Sequence, residues 1–195
     1  MRNIGLCYES SAQALSHLAA DETRSKTERI KDWNEARSLL SNAQAKITAQ
    51  IRSVGLELHQ ANQIARQALE IALEATHDSA GQWILSPHSD AANEVRWAGI
   101  VKDEVRTVQV DRVFRAGAAP QVNEGDCWWI VEYKTAHVDI TDKADPATIL
   151  PQLRALFAPQ LQIYAEVLRN LHGSGAQINA GLYYPRMLLL DWWEI

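Results

Sequence analysis

From residue 30 to residue 75 apolar side chains recur every three or four positions: Ile30, Trp33, Ala36, Leu40, Ala43, Ile47 and Ile51 in one run, then Leu58, Ala61, Ala65, Ala68, Ala72 and Ala75 in a second. This spacing lines one face of a helix and predicts two amphipathic α-helices, with a shorter one around residues 9–20. Near residue 80 the pattern changes. Short β-branched and aromatic runs, separated by turn-forming residues, predict strands at 93–102, 105–115, 127–136 and 177–185, with a short last one at 188–194. Between the third and fourth strands, Ala158-Pro159 opens a predicted helix, because proline suits the first helical position. Leu161, Tyr164, Ala165 and Leu168 then repeat at helical spacing until Gly173. The order of elements is helices, three strands, a helix and two strands. The expectation is one α/β domain over residues 1–195, with a helical part at 1–80 and a mixed-sheet core at 81–195.

The second and third predicted strands flank AGAAPQVNEGD at 116–126, the only Gly/Pro-rich segment and short enough to be a loop. A hairpin symmetric about Gln121 and Val122 sets Asp111 opposite Glu132. Directly opposed side chains on antiparallel strands lie about 5 Å apart, and two like charges there destabilise the pair unless a cation intervenes. Glu132 and Lys134 are two residues apart on one strand and share a face, with Val131 and Tyr133 on the other. One patch thus gathers two carboxylates and an ammonium. The strand is otherwise apolar, Trp128-Trp129-Ile130-Val131, and charges in such a setting are costly unless paired or bound to metal. An ordinary Glu–Lys ion pair on an exposed face is the alternative reading of that triplet.

Composition narrows the possibilities. A net charge of −5 opposes nucleic-acid binding through bulk positive charge, so any contact with DNA has to be local or metal-assisted. Cys7 and Cys127 make neither a disulfide framework nor a four-ligand zinc site, which suits a reducing compartment. No apolar run reaches membrane-spanning length and MRNIGLCYES lacks a secretory apolar core, so no membrane is expected and cytoplasmic location follows by elimination. Neither a phosphate-binding loop of the ATPases nor a dinucleotide-binding glycine motif is present.

Several stretches, taken in order, resemble the PD-(D/E)XK nucleases, and among them the RecB-like nuclease domain at the C-terminus of UvrD- and AddA-type helicase–nucleases. They are GQWILSPHSDAANE at 81–94, VDRVF at 110–114, WWIVEYKTA at 128–136, QLQIYAEVL at 160–168 and GLYYPR at 181–186. The likeness spans about residues 80–194 and implies a restriction-endonuclease-like αβββαβ core with extra N-terminal helices. It also implies hydrolysis of DNA phosphodiesters, with exonuclease action in DNA repair or recombination. Asp111 and Glu132 would hold Mg2+ or Mn2+ together with the backbone carbonyl of Tyr133, and Lys134 would complete the centre. Magnesium takes oxygen ligands and keeps several waters, so this small donor set suffices. Glu94 stands where such enzymes often carry another acid. It is read either as a metal ligand, directly or through water, or as a solvated residue at the mouth of a strand. Gln160 and Tyr164 match a Q-x-x-x-Y pattern and share a helix face that could lean over the site, although Tyr164 could equally belong to the core. Arg112, Arg115, Lys102 and Arg154 are candidate phosphate contacts.

Two departures from the resembled pattern stand out. Val108 occupies a position that is usually glycine, and the N-terminal histidine of a G-x-x-x-H stretch is replaced by Glu9 if Gly5 opens that stretch. The alternative match, Gly55 to His59, lies close to the core strands, and His59 is read as an exposed helix residue. The helicase part of the resembled proteins is missing from this sequence, so the expectation is either an excised domain or a free-standing relative, and the resemblance implies DNA and a superfamily I helicase subunit or domain as partners. The competing expectation is a catalytically inactive nuclease-fold module that docks on a helicase or recombination partner, and an RNA-directed nuclease is a third.

Overall fold

The computed structural model describes residues 26–135 and 146–195, which divide between His77 and Asp78 into two compact units. In the first, α1 (Lys26–Ser53) and α2 (Leu58–His77) are the two helices expected from the periodicity. Ala43 and Ile47 of α1 and Ala61, Ala65, Ala72 and Ala75 of α2 are buried. Thr48, the only buried polar side chain among the described residues of this unit, donates to Asn62 Oδ1 at 3.1 Å. Gly55 ends α1 in the left-handed conformation and returns its N–H to the Arg52 carbonyl. Leu58, expected on the apolar face, is half exposed because it opens α2. His59 is exposed, as read from the sequence. The helix expected around 9–20, and Glu9 with it, lie outside the described residues.

The second unit is an α/β fold on a five-stranded mixed sheet. It begins with α3 (Ser79–Leu85), which has Asp78 as N-cap accepting the Gly81 N–H at 2.9 Å. Seven residues are too few to show a helical period, so this element had no signal in the sequence. The strands follow: β1 (Ser89–Val101), β2 (Glu104–Ala116), β3 (Cys127–Tyr133), β4 (Ile178–Tyr184) and β5 (Leu189–Glu194). They lie side by side in sequence order, with β3 and β4 parallel and all other pairs antiparallel. Parallel neighbours need a long crossover, and α4 (Pro146–His172) lies within it.

That helix is longer than expected. It starts at Pro146 rather than near Ala158 and continues through Pro151 and Pro159. Each internal proline removes one backbone hydrogen bond. Leu150, Leu153 and Phe157 nevertheless pack against the buried cluster of Leu161, Ala180, Leu182 and Tyr184, which offsets that loss. Farther along α4, Tyr164, Ala165, Val167 and Leu168 cover Trp128, Ile130, Val113 and Ile178. On the opposite face of β3, Trp129 is fully buried, stacks with Phe114 and meets the edge of Trp83 from α3. Both faces of β3 are therefore covered, which is why its sequence reads as a continuous apolar run.

Turns fix the register. Lys102 and Asp103 both adopt the left-handed conformation between the paired residues Val101 and Glu104, the two-residue hairpin geometry that matches strand twist. The loop after β2 closes through the Gly117 N–H to the Val122 carbonyl at 2.8 Å. It returns past Gly125, whose φ of 148° brings it against Gly117. Arg112 then pairs with Val131 and Phe114 with Trp129, the register of a hairpin symmetric about Gln121 and Val122.

Candidate active site

Extending that register by one residue sets Asp111 against Glu132, where the regular β2–β3 pairing stops. Side chains take over from the backbone ladder at this level. The Tyr133 N–H donates to Asp111 Oδ2 at 3.0 Å and the Asp111 N–H to Glu132 Oε1 at 3.3 Å. Lys134, just past the end of β3, is tied to β4 through its N–H and the Tyr183 carbonyl at 2.8 Å. Its ammonium stands 3.2 Å from Glu132 Oε2. The side chains of Glu132 and Lys134 are only 6% and 15% exposed, so this is not the solvated surface ion pair allowed by the alternative reading.

Glu94 completes a row of acids across three strands. Its neighbours Asn93 and Val95 pair with Arg112 and Val110, which brackets Glu94 opposite Asp111. Its φ of 51° is a left-handed conformation that a residue other than glycine adopts at a cost. Gln109 Nε2 donates to Glu94 Oε2, and Arg96 Nε donates to Gln109 Oε1 at 3.2 Å.

The electrostatics follow from this crowding. Burial lifts the Asp111 carboxyl above its ordinary value. The Tyr133 N–H opposes the shift, the charge of Glu94 adds to it and Lys134 lowers it. Glu132 is raised by burial first and by Asp111 second, with Lys134 and the Asp111 N–H opposing. Over this patch α4 presents Tyr164, whose hydroxyl accepts from Gln160 Nε2. Burial raises the Tyr164 hydroxyl, and the negative charges of Glu132 and Asp111 raise it further.

Among the described residues no group of three or more His, Cys, Asp or Glu side chains converges closely enough to cage a metal. The donors present suit a different kind of site. Two carboxylates carry more negative charge than the single Lys134 balances. A hard divalent cation needs only one or two carboxylates when water and phosphate fill the rest of its shell. Extended backbone directs the N–H and C=O of one residue to the same neighbouring strand, so the Tyr133 carbonyl lies on the side of Asp111. Asp111, Glu132 and this carbonyl fit Mg2+ or Mn2+.

Three of the four candidate phosphate contacts are committed elsewhere. Arg112 is 1% exposed and donates to the carbonyls of Ile84 and Ser86 and to Asn93 Oδ1, so it locks α3 to the sheet instead of meeting solvent. Arg115 pairs with Asp90 and Asp126 above the Trp128 ring. Arg154 compensates the buried carboxylate of Asp191 and lies over Trp193. Lys102 is exposed at the β1–β2 turn. The sequence reading passed over Phe157, whose ring centroid is 4.3 Å from Lys134 Nζ. Its only signal was an aromatic residue three positions before Gln160 on the same helix.

No protein-family model matches this sequence, and no match was found among curated proteins.

Proposed function

We propose that the chain is a metal-dependent DNA nuclease of the RecB-like type, with Asp111, Glu132 and Lys134 as its reaction centre. The observation that carries this reading is the Asp111–Glu132 pair at the end of the β2–β3 ladder, with the Lys134 ammonium 3.2 Å from Glu132. Such an arrangement is an expensive way to build a sheet, and a divalent cation would relieve its excess negative charge while leaving positive charge to attract a phosphodiester. A bound Mg2+ or Mn2+ would polarise the phosphate and acidify a water.

The protein's own groups do the rest. Asp111 and Glu132 would hold the cation, their carboxylates being oriented by the Tyr133 and Asp111 N–H groups. Lys134 orients the attacking water or offsets charge developing on the phosphoryl oxygens. The water oxygen bonds to phosphorus as the bond to the leaving sugar oxygen breaks, with no covalent enzyme intermediate. Tyr164, held by Gln160, lines the α4 side of the patch and Glu94 the β1 side.

The test is incubation of purified protein with linear single- and double-stranded DNA and with RNA, in Mg2+ or Mn2+. Degradation of DNA is expected, and Lys134→Ala should lower its rate by about 100-fold or more, the usual cost of removing a group that stabilises developing charge. Absence of cleavage, or cleavage that survives Lys134→Ala, overturns the proposal. Preferential cleavage of RNA reassigns the substrate. The engagement of Arg112, Arg115 and Arg154 within the fold favours the alternative of a catalytically inactive module docking on a helicase or recombination partner, and that reading predicts no cleavage at all.

A further inference from the structure

Lys134 is held by two unlike groups. Glu132 Oε2 lies 3.2 Å from its ammonium, and the centroid of the Phe157 ring lies 4.3 Å from it. A lysine side chain otherwise has many rotamers, and confining it to one has an entropic cost. Phe157 is fixed in turn by the apolar cluster of Leu161, Ala180, Leu182 and Tyr184. It precedes Gln160 by three residues and Tyr164 by seven, spacings that put all three on one face of α4.

The chemical difference between the two neighbours matters. A second carboxylate at the position of the ring would also hold the ammonium, but it would neutralise the positive charge that a phosphate needs. An aromatic face attracts a cation through its quadrupole and carries no net charge. It also excludes water from one side of the ammonium, so the N–H groups are presented toward the acids and the reacting phosphate. We propose that Phe157 is a positioning residue for Lys134, holding it by a cation–π contact in the orientation that cleavage requires. This inference rests on the nuclease reading above and adds a residue to its machinery.

The experiment replaces Phe157 with 4-fluoro-, 3,5-difluoro- and 3,4,5-trifluorophenylalanine, which keep the ring's shape while progressively weakening its negative face, and with leucine. Cleavage is followed by kcat and KM, Mn2+ affinity by calorimetry, and the ε-methylene protons of Lys134 by NMR. The expected result is a stepwise fall in kcat along the fluorinated series. For Phe157→Leu the loss should be on the order of 3- to 30-fold, the range that cation–π strengths span from exposed to desolvated sites. Mn2+ affinity and KM should stay near those of the unsubstituted protein. Ring-current displacement of the Lys134 ε-methylene protons should be present in the unsubstituted protein and absent in Phe157→Leu.

Unchanged kcat across the fluorinated proteins overturns the inference while leaving the nuclease reading intact. So does a Lys134 resonance indifferent to Phe157→Leu. A protein that shows the ring-current displacement and cleaves nothing fails the nuclease reading, and with it the catalytic purpose assigned to the contact. The fluorinated residues are nearly isosteric, so the test stands even if Phe157→Leu loosens the core.

Discussion

Asp111→Asn should make the metal-free protein more stable at neutral pH and deprive it of its response to metal. Opposed side chains on adjacent antiparallel strands are about 5 Å apart. At that distance two unit charges repel by about 3 kcal/mol in a surrounding of effective dielectric near 20. Lys134, 3.2 Å from Glu132, offsets part of this, so relief of about 1–2 kcal/mol is expected. In the unit that carries the site, this corresponds to a rise in melting temperature of about 4–8 °C. Asparagine keeps an amide oxygen that can accept the Tyr133 N–H now bound to Asp111 Oδ2, so the substitution removes charge without stranding a backbone donor.

The pH dependence supplies a second arm of the same test. The Asp111 and Glu132 carboxyls are both raised above their ordinary values. The folded protein therefore holds these protons more tightly than the unfolded chain does. Their contribution to stability is complete below the ordinary carboxylate values and is lost as pH climbs through the raised ones. Mn2+ competes with those protons and should stabilise most at neutral pH, by about 1.4 kcal/mol at a tenfold excess over its dissociation constant, and little in acid. Of the seven tryptophans only Trp33 precedes residue 78, so tryptophan fluorescence during thermal unfolding reports mainly on the sheet unit. The reasoning is refuted if metal-free Asp111→Asn melts at or below the unsubstituted protein at pH 7.5, or if Mn2+ raises both melting temperatures equally.

Two further expectations concern the scaffold. Arg112→Met strands the Ile84 and Ser86 carbonyls and Asn93 Oδ1 beneath α3, and urea unfolding should report a loss of about 3 kcal/mol; a loss below 1 kcal/mol would show that this buried guanidinium contributes little. Gly125→Ala brings a Cβ to 2.7 Å from the Gly117 Cα and 2.9 Å from the Ala116 carbonyl oxygen at a positive φ. The loop must move, and urea denaturation should register about 2 kcal/mol of destabilisation, whereas an unaffected midpoint would mean that the loop adapts freely.

What could be read in the sequence was what depends on neighbours along the chain. The alternation of β2 and β3 and the short loop between them define the pairing of Arg112 with Val131, and hence the Asp111–Glu132 encounter, with no knowledge of the rest of the fold. The two helices α1 and α2 were equally legible, because Ala43, Ile47, Ala61 and Ala65 recur at helical spacing and become buried. What could not be read depends on partners far away in sequence. Arg112 looks like a surface cation until α3, too short to show a period, brings the Ile84 and Ser86 carbonyls to it. The first half of α4 was hidden by Pro151 and Pro159, whose local cost is met by packing against strands β4 and β5. Phe157 lies in that hidden half, and its contact with Lys134 is illegible in the sequence for the same reason.

The acids also explain why the site lies where the ladder ends. Within a regular pair of strands the backbone N–H groups of residues 111 and 133 would seek carbonyl partners on a neighbouring strand. Here they are met by carboxylate oxygens, from Glu132 for Asp111 and from Asp111 for Tyr133. The carboxylates that close the sheet are also the ones proposed to hold a cation. Charge in the pair thus opposes folding, while its hydrogen bonds support it. A neutral isostere separates the two effects, and a truncation to alanine combines them. This is why metal affinity and stability have to be measured together at this position: each carboxylate is both the last link of the sheet and the first ligand of the proposed centre.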